Sequence, residues 1–251
     1  AAVGTINDDD NAPTISGVEP GAPGAGDDAV VEGTSLVYTV SLSNASSVAT
    51  TYPFSLGGGT ATAGADYTNA AVFSNGVTLV GGVITVPAGV TSFTVTVPTI
   101  DDVLAEPGAN ETLPLTIGGV TGIGAIIDND GAPSVSSVSA DTRTEGTALV
   151  HTVTLSNASS VQTSFAYSLG GGTATGAGVD YTTPPTFSNG VTLVGGNLLV
   201  PAGVTSFTIT VPTTLDLIDE GASENYNLSV GGVAAVGTIN DDDNAPTISG
   251  V

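Results

Sequence analysis

The side chains able to do chemistry in this chain are almost all carboxylates. Twenty-four Asp and Glu face one arginine, Arg143, and one histidine, His151, for a net charge of −23 over 251 residues. Their spacing is uneven. Residues 33–65, 67–100, 146–179 and 181–215 hold no acid at all. The acids gather instead in knots such as Ile127-Asp128-Asn129-Asp130-Gly131-Ala132-Pro133. Versions of that knot stand at Ile6-Asn7-Asp8-Asp9-Asp10-Asn11-Ala12-Pro13 and Ile239-Asn240-Asp241-Asp242-Asp243-Asn244-Ala245-Pro246. A coat that served only solubility would be spread over the surface. Carboxylates crowded together without basic partners repel, and a cation among them removes the repulsion. Calcium suits such a set, because it takes about six to eight oxygens in irregular geometry. Magnesium wants a stricter octahedron and keeps its water.

The same charge balance excludes partners. Nothing here neutralises phosphate, so nucleic acid and anionic membrane surfaces are not expected. No run approaches the roughly 18 apolar residues of a membrane helix. Cysteine is absent, which removes disulfides, thiol catalysis and thiolate metal sites. Hydrophobic residues make up 40% of the chain, with a mean hydropathy of +0.34. That is enough for packed cores and argues against wholesale disorder. The chain opens in mid-pattern at Ala1-Ala2-Val3-Gly4, so we expect a piece of a longer protein.

Elements that would position the acids are strands. Ser35-Leu36-Val37-Tyr38-Thr39-Val40-Ser41-Leu42 alternates apolar and hydroxyl residues, and so does Ser92-Phe93-Thr94-Val95-Thr96-Val97. Their counterparts are 148–155 and 206–211. Period two with β-branched residues predicts strands with one buried face. Gly57-Gly58-Gly59, Asn75-Gly76, Gly81-Gly82 and Pro87-Ala88-Gly89 mark turns. No window of ten residues or more has helical spacing.

The pattern occurs twice. LSNASSV stands at 42–48 and 155–161, SLGGGTAT at 55–62 and 168–175, FSNGVTLVGG at 73–82 and 187–196, and VPAGVTSFT at 86–94 and 200–208. The offsets are 113 or 114 residues (155 − 42 and 187 − 73). Residues 1–18 recur unchanged as 234–251. A period this long is a whole domain, and roughly seven strands in about 110 residues is the size of an immunoglobulin-like sandwich. The expectation is an all-β chain of two tandem sandwiches at 12–130 and 131–243. Residues 1–11 would be the last strand of a preceding repeat, and 244–251 the start of the next. The first unit carries an insertion, 19–28, that the second lacks.

One order of motifs runs through both units. In the first it is Glu32-Gly33, Gly-Thr-Ala-Thr-Ala-Gly-Ala-Asp-Tyr at 59–67, Val-Pro-Ala-Gly at 86–89, Asp101-Asp102 with Glu106 and Glu111-Thr112, then Ile-Asp-Asn-Asp at 127–130. The second has Glu145-Gly146, Gly178-Val179-Asp180-Tyr181, 200–203, Asp216, Glu220, Glu224 and Asp241–Asp243. This order resembles the Calx-β domain. The tandem array, the Thr/Ser-rich strands and the Asn-Ala-Pro joints resemble the extender repeats of giant bacterial surface adhesins of the RTX (LapA-like) type. The resemblance implies Ca2+ at one end of each sandwich. Implied ligands are Glu32, Asp66, Asp101, Asp102, Glu106, Asp128 and Asp130 in the first unit. In the second they are Glu145, Asp180, Asp216, Glu220, Asp241 and Asp243. Asp8 and Asp10 take the corresponding places in the N-terminal knot. Leu215 replaces the first acid of the Asp-Asp pair, so the second unit is expected to hold one ion fewer or to hold it less tightly, unless Asp219 compensates.

The resulting expectation is a non-catalytic extender on a bacterial cell surface, a monomeric rod whose partners are neighbouring repeats. A rival reading makes the sandwich loops a carbohydrate or protein binding module, and a third makes them a calcium sensor. An EF-hand starting at Asp8 fails, since Ala12 and Pro13 occupy positions that need an oxygen ligand and a glycine. The glycine-rich calcium nonapeptide is absent. His151 aligns with Tyr38 in a strand, which predicts a structural histidine at the strand surface or partly buried. Arg143 precedes Glu145 by two, which predicts a weak local ion pair.

Overall fold

The computed structural model describes residues 3–4, 9–21, 28–108, 110–221 and 223–248. Asp8 and most of the insertion at 19–28 lie outside them. The chain divides into two compact units. Ala1–Asp102 and Gly108–Asn129 form the first, Val103–Pro107 and Asp130–Val251 the second.

The first unit contains β1 (Ile15–Pro20), β2 (Ala29–Val31), β3 (Leu36–Leu42), β4 (Thr50–Leu56), β5 (Val72–Phe73), β6 (Thr78–Val80), β7 (Val83–Val86) and β8 (Ser92–Val97). After β9 (Leu104–Ala105), it continues with β10 (Glu111–Ile117) and β11 (Val120–Ile127). One sheet runs β1-β3-β8-β5 and the other β2-β11-β10-β4-β7-β6. The core strands bury alternate residues. In β3 these are Leu36, Tyr38, Val40 and Leu42, and in β8 Phe93, Val95 and Val97. They meet Leu113, Leu115 and Ile117 of β10 and Ile84 and Val86 of β7 in one core. Hairpins close on glycine pairs, as at Gly118-Gly119, with φ of 57° and 85° between β10 and β11. That is the left-handed pair a two-residue turn needs to match strand twist.

The second unit repeats the plan with β12 (Val135–Val138), β13 (Asp141–Thr144), β14 (Leu149–Leu155), β15 (Ala158–Ser159), β16 (Thr163–Gly170) and β17 (Thr186–Phe187). It goes on through β18 (Thr192–Val194), β19 (Asn197–Val200), β20 (Ser206–Val211), β21 (Glu224–Val230) and β22 (Val233–Asn240). Its sheets are β12-β14-β20-β17 and β13-β22-β21-β16-β19-β18, over a core of its own. β9, which belongs with this unit, pairs with β15. The chain is thus all-β, two sandwiches of one topology, as the repeat implies.

One pairing in each unit positions the acids. β2 lies parallel to β11, and β13 parallel to β22, at one edge of the six-stranded sheet. Parallel neighbours end on the same side. The residue after β2 therefore meets the residues after β11, although 95 positions separate Glu32 from Ile127 (127 − 32).

Candidate metal centre

That edge brings the first acids together. The Glu32 N–H donates to the Ile127 carbonyl at 3.0 Å, and the Glu145 N–H to the Asn240 carbonyl at 3.0 Å. Each glutamate is thereby fixed beside the Asp-rich turn that leaves the sheet. Gly33 and Gly146 follow with φ of 75° and 71°, a conformation that favours glycine. A Cβ on either would press on residue 101 or 215, at 2.9 and 3.0 Å. The loop after β8 or β20 is therefore held against the same turn.

A second position comes from the tyrosine after Asp66 and Asp180. Tyr67 and Tyr181 are buried and bridge to Thr99 and Thr213. This draws the two aspartates inward, to 8% and 7% exposure. One oxygen of each accepts a backbone N–H, from Thr62 for Asp66 and from Thr175 for Asp180. Glu111 and Glu224 open β10 and β21 on the same side.

Four carboxylate triads result, in each of which one oxygen per residue lies within 4.8 Å of the others. They are Glu32/Asp128/Asp130, Asp66/Glu106/Glu111, Glu145/Asp241/Asp243 and Asp180/Glu220/Glu224. Oxygens about 2.4 Å from a shared calcium can be at most about 4.8 Å apart, so each triad has the span for one ion. The second unit supplies a stricter test of fit. Asp180 Oδ1, Glu224 Oε2 and Asp243 Oδ2 are buried and have no hydrogen-bond partner. A buried oxygen without a donor costs free energy that a proton or a cation would recover. The residues present therefore fit a hard cation.

The titration of these groups records the crowding. Burial first, then Asp180 and Glu220, pushes Glu224 up to about 7. Burial, then the charges of Asp216, Asp243 and Asp242, raises Glu145. Glu220 and Asp243 are raised the same way, by burial and then by their acidic neighbours. Asp241 goes the other way, because the N–H groups of Asp243 and Glu220 donate to it at 2.8 and 3.0 Å. Without a cation, the second unit thus holds some carboxyls that resist ionisation beside one that is fixed as an anion.

Of the acids named from the sequence, Glu32, Asp66, Glu106, Asp128, Asp130, Glu145, Asp180, Glu220, Asp241 and Asp243 stand in the triads. Asp101, Asp102 and Asp216 do not, though two of them sit close by. Asn129 Nδ2 donates to Asp101 Oδ1 at 3.2 Å, and the Asp216 N–H lies 3.5 Å from Glu145 Oε1. Asp10 is exposed beside Asn11–Pro13 and stands in none of the triads. Glu111 and Glu224 do stand in them, and the ligand set drawn from the sequence omitted both. Their place as first residue of the strand after the acidic loop was the available signal.

Two smaller expectations need correction. Arg143 pairs with Asp141, Nε to Oδ2 at 3.1 Å, and not with Glu145. Residues 141 and 143 share a face of β13, whereas Glu145 lies past the strand end. The pairing joins the Val150 and Thr142 N–H groups in holding Asp141 below the usual carboxylate range, against the burial that opposes ionisation. His151 is fully buried, not at the surface. Its Nδ1 is 2.7 Å from the Ser139 carbonyl and its Nε2 2.9 Å from the Tyr226 hydroxyl. A carbonyl only accepts, so Nδ1 carries the proton and Nε2 accepts from the tyrosine.

No protein-family model and no curated protein matches the chain. Among solved structures it is similar to the calcium binding domain CBD12 of CALX1.1, at 18% identity over 80% of this chain and 76% of that one, with a TM-score of 0.30. CBD12 from CALX1.2 gives 16% identity, 86% and 79% coverage and a TM-score of 0.33. The serine-rich repeat protein Srr2 from Streptococcus agalactiae gives 10% identity, 94% and 98% coverage and a TM-score of 0.31. Likenesses of this size carry no argument about function.

Proposed function

We propose that the chain is a non-catalytic structural extender of a long cell-surface adhesin, stiffened by calcium held at and near the joints between its repeats. The carrying observation is Asp180, 7% exposed, with Oδ1 lacking a hydrogen-bond donor inside a triad of three carboxylates. An ion there would be coordinated by Asp180, Glu220 and Glu224, and one at the sheet edge by Glu145, Asp241 and Asp243. The corresponding sets are Asp66, Glu106 and Glu111, and Glu32, Asp128 and Asp130. Calcium supplies charge neutralisation and a cross-link between distant segments, and needs no reaction. Stabilisation by an ion that binds only the folded state takes over the part disulfides play in other secreted domains.

The extender reading adds the sequence of the joint. Asn129–Pro133 is a short tether, and its proline removes backbone freedom. The motif resemblance adds the bacterial surface, the RTX type, a role in biofilm adhesion and neighbouring repeats as the partners of a monomeric rod. Neither nucleic acid nor membrane insertion has a place in it. The test is melting and solution scattering in calcium and in chelator. The reading expects a lower melting temperature and a shorter maximum dimension once calcium is removed. Identical curves would overturn it.

One observation favours a binding role for the second unit. A groove of about 430 Å³ is lined by Tyr167, Leu169, Thr183, Pro184, Pro185 and Leu193. The first unit has Phe54 and Ala70-Ala71 where Tyr167 and Pro184-Pro185 stand. A glycan array probed with the whole chain separates this reading from the extender, which expects no specific glycan.

A further inference from the structure

The heptapeptide LSNASSV occurs in both units, and its two copies are in different surroundings. In the second unit Ala158-Ser159 forms a short parallel pair with Leu104-Ala105. The Ser160 N–H donates to the Ala105 carbonyl at 2.9 Å and the Ser159 hydroxyl donates to the same oxygen at 3.2 Å. Ala105 and Ser159 are 2% and 4% exposed there.

In the first unit the same loop is built with the same bonds. Asn44 Nδ2 donates to the Asn11 carbonyl at 3.0 Å, as Asn157 Nδ2 does to that of Gly131 at 2.9 Å. The Gly89 N–H donates to the Ser46 carbonyl at 2.8 Å, as Gly203 does to Ser159 at 2.9 Å. No described segment pairs with it. Instead Asp10–Pro13 and Asn44–Val48 line an open groove of about 410 Å³, with Val48 64% exposed. The segment that corresponds to 103–106 in the second unit is 217–220, and its first two residues stand clear of the surface. Leu217 is 91% exposed and Ile218 61%, beside Leu215 at 66%. A groove with its backbone donors prepared and an exposed apolar segment of the matching kind thus sit on one chain.

We propose that Leu217–Glu220 of one copy of this chain seats in the Asn44–Val48 groove of a second copy, as Leu104-Ala105 seats on Ala158-Ser159. The register transfers as Ile218 opposite Ala45 and Asp219 opposite Ser46. Identity of the groove sequences makes the occupant a copy of the chain and not an unrelated partner. The fit is weaker than that of 103–107, because Asp219 stands where Ala105 is buried, and the one proton of the Ser46 hydroxyl goes to the backbone carbonyl and leaves the carboxylate unmet. This inference rests on the reading of the chain as repeats of an array, replaces the monomeric state of that reading with copies joined through this groove, and does not rest on calcium.

The absence of cysteine gives a clean test. Two variants of the full chain, Ala45→Cys and Ile218→Cys, are mixed in a thiol–disulfide buffer at about 0.15 M salt, where repulsion between acidic chains is screened beyond about 8 Å. Partners in a strand pair lie about 4.8 Å apart, inside the about 4.4–6.8 Å reach of a disulfide. The expected result is several-fold more mixed dimer than from Ala45→Cys with Val194→Cys, which sits on an exposed strand elsewhere. Adding Asp219→Ala to the Ile218→Cys chain is expected to raise the yield further. Equal yields from the two pairings, or a yield lowered by Asp219→Ala, would overturn the proposal. The assay is run with calcium and with chelator beside thermal melts. Cross-linking without any calcium effect on melting defeats only the calcium reading. A calcium effect without cross-linking defeats only this one.

Discussion

The two units solve the same packing problem with different side chains. In the first, Tyr38 donates its hydroxyl to the Leu113 carbonyl across the sandwich. In the second, position 38 becomes His151 and position 113 becomes Tyr226, and the bond now runs from Tyr226 to His151 and on to Ser139. Both arrangements satisfy the polar atoms of these core side chains from within the unit. The acid end diverges by the same logic. Asp101 lies over the glycine after Glu32 and Leu215 over the glycine after Glu145, so the loop follows one path while its first residue changes from a carboxylate to an apolar side chain. Backbone course is therefore set by glycine and buried tyrosine, and the carboxylates that could face a cation are left to a few exchangeable side chains.

The comparison breaks most visibly on removal of calcium. At about a hundred times the dissociation constant, one ion adds about 2.7 kcal/mol to the folded state. In a domain of this size that is on the order of 10 °C in melting temperature. Calorimetry in calcium and in chelator should show a drop of that order in both units. Next in size are Asp66→Asn and Asp180→Asn, each of which should remove calcium stabilisation from its own unit and leave the other's. In chelator the sign reverses for Asp180→Asn, because the substitution relieves the crowding that raises Glu224. A chelator melt lower than that of the parent protein would contradict the electrostatic account.

His151→Phe tests the core half of the comparison. It strips the Tyr226 hydroxyl of its partner, a loss of about 1–3 kcal/mol. His151→Tyr with Tyr226→Leu rebuilds the first unit's arrangement and should recover most of that loss in urea unfolding. Leu215→Asp should bring the second unit's calcium affinity several-fold closer to the first, as read by isothermal titration. The smallest effect is pH. Glu224 is raised in the folded state from its ordinary 4.5 to about 7, so the metal-free fold binds more protons there than the unfolded chain. The stabilisation from this group should then be full below about 4.5 and be lost as pH rises through about 7. Calcium should flatten or invert that slope, since it binds the ionised form.

The sequence showed the strands, the repeat and the places where acids collect, because period-two alternation and repeated words are local signals. Leu36 to Leu42 and Ser92 to Val97 could be read directly. Which acids share a site was less legible. The meeting of Glu32 with Asp128 and Asp130 depends on a parallel pairing across most of a unit. The inclusion of Glu224 depends on the strand beginning at that residue and not after it. Arg143 found Asp141 because strand spacing holds for 141 and 143 and ends before 145. The burial of His151 follows from the alternation of β14, whose odd-numbered positions are the inward ones.

The parallel edge of each sandwich has a mechanical consequence. Tension entering the first unit through residues 128–133 reaches the body at Ile126 and Ile127, where β11 lies alongside β2. Pulling along such a ladder loads its bonds side by side instead of unzipping them singly. The carboxylates immediately beyond are the first groups the load meets, so a cation seated among them would act as a rivet at the point where the strand would begin to peel.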